Sequence, residues 1–252
     1  MILEASGLQS WYGTPLGRTA SRMVGEAMAR WLVANPSERT LGFGFPHPYL
    51  EALCPWIGSV LGVSPAEMGV APWPRGARNR IAQVRPDALP FPDESFDRVI
   101  MTHLLEGVQS PRATLRETWR VLVPGGRVLV MVPNRGGWWA RRDATPFGWG
   151  RPFSPGQLRA TLEESLFHSR QSCYALFMPP LEGKRWLAAA SAWEKAGMRW
   201  FAPLGGVILC EAEKVVYAVP TLDAVPRQSS RSCCIPLSLG NNRRVHERTF
   251  RE

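Results

Sequence analysis

The fold class this sequence predicts is α/β, built on a doubly wound, mostly parallel sheet, and three observations carry the prediction. Residues 96–102 (FDRVIMT) hold Val99, Ile100 and Met101 as a nearly continuous apolar core, the pattern of a parallel strand buried on both faces. Residues 110–123 open with Ser110 as an N-cap and Pro111 at the first helical position, and they set Leu115, Trp119 and Leu122 on one side of a helix. Residues 127–132 (RVLVMV) form a second apolar run. Strand, helix and strand in repetition make a doubly wound sheet.

The other elements follow in order along the chain. Residues 18–34 space Met23, Ala27 and Trp31 at helical intervals and end at Pro36. An apolar run at 40–44 leads into a helical stretch at 49–57, and further runs follow at 59–64 and 81–85. Pro124, Gly125 and Gly126 are expected to stop the helix before the 127–132 strand. Residues 134–153, rich in Gly, Trp and Arg without a period, are predicted to be a loop over the functional face. A helix at 155–166, strands at 172–178 and 207–219, and a helix around 186–195 complete the domain, assigned to residues 1–220. From 221 onward Ser, Arg, Asn and Pro dominate, predicting a basic, disordered tail over 221–252.

Composition narrows the function classes. With 45% hydrophobic and 20% charged residues in a chain of 252, the protein can bury a core without staples. No apolar run reaches the ~18 residues of a membrane span, and residues 1–17 lack the basic start and apolar stretch of a secretory signal. The cysteines (Cys54, Cys173, Cys210, Cys233 and Cys234) are odd in number and form no C-x-x-C pair, which argues against a disulfide framework or zinc site and for a reducing cytoplasm. The net charge of +9 points first to nucleic acid. Because the arginines are spread along the chain, nucleic acid is not the favoured partner.

Residues 89–132 (LPFPDESFDRVIMTHLLEGVQSPRATLRETWRVLVPGGRVLVMV) closely resemble the second half of a class I S-adenosylmethionine-dependent methyltransferase domain of the broad small-molecule type. That family carries an L-P-F-x-D-x-S-F-D turn into its fourth strand, an L-E-x-V loop, and a helix ending R-V-L-x-P-G-G before the fifth strand. The resemblance implies a mostly parallel seven-stranded sheet with helices on both faces and S-adenosylmethionine as cofactor. The same residues also serve the fold alone: Phe91, Phe96 and Val99 are core positions, and the glycines form a turn.

Site residues carried over from the family lie on strand ends, where such sheets bind ligands. The family's glycine-rich loop is an acidic residue followed by G-x-G-x-G. It aligns with residues 40–46, where Gly42 and Gly44 stand but Thr40 replaces the acid and Pro46 the third glycine. Ser64 occupies the place of the ribose-binding acid, with Glu67 one turn on. Asp87 is the nearest candidate to accept from the adenine amino group, or else a turn former. His103 follows the fourth strand, as a general base for an acceptor proton or as a strand cap lining the pocket. Glu106, in the same loop, reads as an anchor. Tyr12 and Thr14 belong to a segment that covers the cofactor in related domains, or to an ordinary turn.

Trp138, Trp139, Trp149, Trp186, Trp193 and Trp200 fall where the acceptor pocket is expected. Trp186 and Trp193, seven apart, read as core, whereas Trp138 and Trp139 in a Gly-rich loop are hard to bury. Beside Arg135, Arg141 and Arg142, they suit a flat, apolar or acidic acceptor, or a partner protein. The resulting expectation is a methyltransferase acting on a small or lipid-like acceptor. The alternative is a catalytically inactive member of the fold that serves as a binding or regulatory module.

Overall fold

A computed structural model describes residues 4–216 except 33–34, 54–56, 75 and 77. The predicted tail, with Cys233 and Cys234, and also Cys54, lie outside the described residues. Seven strands form one sheet in the order β3-β2-β1-β4-β5-β7-β6. They are β1 (Asn35–Gly44), β2 (Ile57–Pro65), β3 (Ile81–Val84), β4 (Phe96–Thr102), β5 (Leu122–Pro133), β6 (Phe167–Ala175) and β7 (Val207–Lys214). All neighbours pair in parallel except β7, which runs antiparallel to both β5 and β6. The doubly wound, mostly parallel seven-stranded sheet is therefore present.

Alternation along the central strands divides the interior into two cores. Ile100, Leu129 and Met131 face helices α1 (Ala5–Tyr12), α2 (Pro15–Ala29) and α3 (His47–Leu53). Val99, Met101, Val128 and Val130 face α4 (Pro111–Val121) and α5 (Pro155–Glu163). On α2, Leu16, Ala20, Met23, Val24, Ala27 and Met28 are buried; each large apolar side chain among them contributes about 1.5–3 kcal/mol. Thr14 caps α2 by accepting from Gly17 N at 3.0 Å. Gly17 has a further role, because a Cβ there would lie 2.2 Å from the Trp11 carbonyl oxygen. That close approach sets the end of α1, and so Tyr12, against the sheet.

Three elements differ from expectation for physical reasons. The Pro-Gly-Gly segment does not precede the fifth strand but lies inside it. Phe96 pairs with Leu122 and Arg98 with Arg127, so residues 123–126 bulge out while pairing begins as soon as α4 ends. The helix expected around 186–195 is two short helices, α6 (Lys184–Ala188) and α7 (Ala190–Trp200). The strand expected at 172–178 begins earlier, at Phe167, because it follows β7 along its whole length. Ser110 does cap α4, accepting from Ala113 N at 3.3 Å.

Candidate functional site

The parallel strands β1 to β5 all end on one side of the sheet, where Gly44, Ser64, His103 and Glu106 stand. Gly44 closes β1 with φ of 95°, a backbone region that favours glycine. A Cβ on it would stand 2.3 Å from the Thr102 carbonyl oxygen, which also accepts from Phe45 N at 2.8 Å. The ends of β1 and β4 are thus locked together, and His103 emerges next with φ of 51°. A non-glycine residue held there carries strain of the sort that clusters at functional sites.

His103 is fully buried, and its ring nitrogens face two different groups. Nε2 lies 2.6 Å from the Tyr12 hydroxyl, and Nδ1 lies 3.3 Å from Glu106 Oε1. The Tyr12 hydroxyl in turn lies 2.6 Å from the Tyr49 hydroxyl. Phe45 stacks on Tyr12 at 6.1 Å and Phe147 tilts against His103 at 5.3 Å, so the chain of four polar groups runs through an aromatic box. Burial pushes the Tyr12 phenol well above its ordinary value, with Tyr49 and Glu106 adding to the effect. The Tyr49 phenol is also raised, first by burial. Both hydroxyls are therefore neutral, and each can donate as well as accept.

A cavity of about 690 Å³ opens beside this box, lined by Glu67, Arg85, Asp87, Leu104, Glu106 and the first turn of α4, among others. Asp87 pairs with Arg85 at 3.0 Å, and the guanidinium holds its carboxyl below the usual carboxylate range. Glu67 and Asp87 are exposed carboxylates at the ends of β2 and β3, and both Asp87 oxygens accept from Arg85.

The other candidates stand apart from that opening. Thr40 is buried within β1, paired across to Val60 and Arg98. Ser64, at the end of β2, donates its hydroxyl to the Gly69 carbonyl at 2.7 Å, so Glu67 rather than Ser64 reaches the cavity. Pro46 covers Gly42, with its Cγ 2.7 Å from where a Cβ would stand. Within the glycine loop, Gly42 is therefore covered by Pro46, and Gly44 is backed by Thr102 and Leu104.

The tryptophans divide. Trp139, expected to resist burial, is 1% exposed and donates Nε1 to the Met178 carbonyl at 2.7 Å, which satisfies its polar edge. Trp138 is 44% exposed. Trp186, expected in the core, is exposed and rests on the partly buried Trp193 at 6.0 Å. Arg151 lines the main cavity and also a neighbouring pocket of about 310 Å³ with Arg112 and Arg135. Sequence reasoning missed Tyr49 and Phe147. The signal available for Tyr49 was its hydroxyl, since a tyrosine on a buried helix face needs a polar partner.

Comparisons with known proteins agree with this geometry. Residues 40–130 match a family model described as a methyltransferase domain. The ubiquinone/menaquinone biosynthesis C-methyltransferase UbiE of Pasteurella multocida is 49% identical over 49 residues, 19% of this chain and 18% of that protein. The match thus spans under a fifth of that relative's length. A S-adenosylmethionine-dependent methyltransferase from Thermotoga maritima, described as a possible histamine N-methyltransferase, superposes with a TM-score of 0.60 at 21% identity, covering 82% of this chain and 94% of that one. One from Aquifex aeolicus gives 0.56 at 16% identity, covering 83% and 98%. The sheet has the fold of these methyltransferases, and residues 40–130 are similar to the methyltransferase domain of that family model.

Proposed function

We propose that the protein is a S-adenosylmethionine-dependent methyltransferase that acts in the cytoplasm on a small or lipid-like acceptor. The observation that carries this reading is the cavity at the carboxyl ends of β2, β3 and β4, with Glu67 and Asp87 as its exposed acceptors. In this reading they receive the hydroxyl and amino donors of the cofactor's nucleoside. In the same reading Gly42 and Gly44 lie at the methionine end beside Tyr12, and Ser64 stands at the ribose; Thr40 lies within β1 behind the glycines. When bound, the cofactor supplies an electrophilic methyl group.

His103 then serves as the base through the Tyr12 hydroxyl, which gives its proton to Nε2 as it receives the acceptor's, while Glu106 faces Nδ1. A carboxylate beside the imidazole stabilises the charge that forms there. The name of the curated relative, a quinone-biosynthesis C-methyltransferase, supports an apolar ring as acceptor. A second reading, an inactive binding module, is favoured by one observation: Pro46 covers Gly42 in the glycine loop.

Calorimetry of the purified chain with S-adenosylmethionine and S-adenosylhomocysteine separates the two. The enzyme reading expects saturable binding that Asp87→Ala and Glu67→Ala each weaken. Losing one charge-assisted hydrogen bond costs about 1.5–3 kcal/mol, which is roughly tenfold to a hundredfold in affinity. Both residues are exposed, so the fold tolerates the change. Folded protein that binds neither compound at millimolar concentration would refute the enzyme reading and leave the binding module.

A further inference from the structure

The helical segment between β6 and β7 ends in a run of solvent-facing apolar groups. Trp200 is 70% and Phe201 55% exposed, and Met198 and Leu204 beside them are also exposed. The inner face of α7 is held by buried Ala190, Glu194 and Gly197, at the spacing of one helix stripe. Glu194 anchors it further, accepting from Leu176 N and Phe177 N at 2.8 Å each. Trp186 on α6 adds a further exposed ring. The loop that bears exposed Trp138 is tied to the same turn, since Asn134 Nδ2 donates to the Pro203 carbonyl at 2.9 Å and to that of Gly205 at 2.7 Å.

The charges around these groups are mainly positive. Lys184, Arg185, Lys195 and Arg199 are exposed on the two helices, and the Arg199 guanidinium lies 5.7 Å from the Trp200 ring centroid. Across residues 182–204 the carboxylates are Glu182, which is exposed, and Glu194, whose oxygens are taken by backbone amides. The surface therefore asks for a partner that is apolar and anionic together. An anionic lipid surface is both: tryptophan settles at the headgroup level, and each nearby Lys or Arg adds to the attraction. Among the described residues no helix is long and apolar enough to cross a membrane, so contact through this face is peripheral.

We propose that the α6–α7 face, with Trp138, docks the protein on an anionic lipid surface. Docking is independent of methyl transfer. It also gives the 134–153 loop two ends with distinct roles. One end carries Trp138 at the lipid; the other packs on the functional site, where Arg151 N donates to the Glu106 carbonyl at 2.9 Å.

Co-sedimentation of the full chain with vesicles, without cofactor, tests this. Vesicles of phosphatidylcholine mixed with phosphatidylglycerol should bind the protein and shift its tryptophan emission to the blue, whereas phosphatidylcholine alone should bind it at least tenfold less. Trp200→Ser with Phe201→Ser should weaken binding roughly tenfold or more, given the apolar area each ring buries. Lys195→Glu with Arg199→Glu should do the same through charge, so the test does not rest on one variant. Binding that survives both double substitutions would assign it to the arginines of residues 221–252 and overturn the proposal. So would a lipid-indifferent dimer that Trp200→Ser with Phe201→Ser turns into a monomer, because a second copy would then be the occupant.

Discussion

The Tyr12 hydroxyl bridges His103 Nε2 and the Tyr49 hydroxyl, 2.6 Å from each. These groups come from α1, the loop after β4 and α3, so one phenol joins three segments far apart in sequence. Tyr12→Phe keeps the ring and leaves two buried polar groups without their shared partner. An unsatisfied buried group costs about 1–3 kcal/mol. The urea midpoint should therefore fall without a change in slope. Tyr49→Phe should cost less, because Tyr12 still reaches His103. Equal losses in the two variants would show that Tyr12 is not the bridge.

His47, tilted against Phe45 with the ring centroids 4.6 Å apart, gives the fold a pH dependence of known sign. Burial pulls its imidazole from 6.5 down to about 4, with the Ala71 backbone offsetting part of the effect. A depressed basic group binds its proton more readily unfolded than folded. Stability is therefore retained above pH 6.5 and lost as pH falls towards about 4, where the folded form finally charges. The loss is at most about 3 kcal/mol, at 1.36 kcal/mol per unit. In urea titrations across that window His47→Gln should show a shallower decline than the parent. Parallel curves would remove His47 as the source.

What could be read in the sequence was what one periodicity records. The β4 strand at 96–102, the α4 cap at Ser110 and the apolar run after residue 127 each follow from local pattern, and together they place the strand ends where the site lies. The bridge from Tyr12 to Tyr49 could not be read, since no spacing relates two tyrosines on separate helices. Nor could the burial of Trp139, which depends on the absence of a side chain at Gly206: a Cβ there would lie 2.4 Å from Trp139 Cδ1. The family's pattern picked out Gly42 and Gly44 in the loop and Ser64 at the end of the second strand as site residues. It carried no information about Pro46 folding over Gly42 or Ser64 turning to a backbone carbonyl.

Two glycines make a paired prediction. Gly44→Ala must place a methyl group 2.3 Å from the Thr102 carbonyl oxygen at φ of 95°, so β1 and β4 have to part where they now pair. The expected cost is about 2–4 kcal/mol, combining overpacking with backbone strain. Gly156, in the first turn of α5, has nothing within 4 Å of a Cβ. Gly156→Ala should stabilise by roughly 0.5–1 kcal/mol. Thermal unfolding of both variants should move the midpoint in opposite directions, and a shift of the same sign would contradict the packing described at one of the two sites.

At the opposite end of the sheet, Arg98 on β4 stands between two buried carboxylates. It pairs with Glu38 on β1 through Nε and with Glu211 on β7 through Nη1, the latter at 3.0 Å. Arg127 is the next cation, 3.8 Å from Glu211, and Gln171 donates to the other Glu211 oxygen at 2.9 Å. Removing one partner of a buried pair costs more than the pair contributes, because the charge left behind has lost both water and its counterion. Arg98→Met should therefore destabilise by about 3–5 kcal/mol in urea. Arg98→Lys should lose less, keeping the charge but not the fork that spans two carboxylates. A mild loss in Arg98→Met, no larger than that of Arg98→Lys, would mean that water reaches Glu38 and Glu211 and that the three strands are not tied together there by charge.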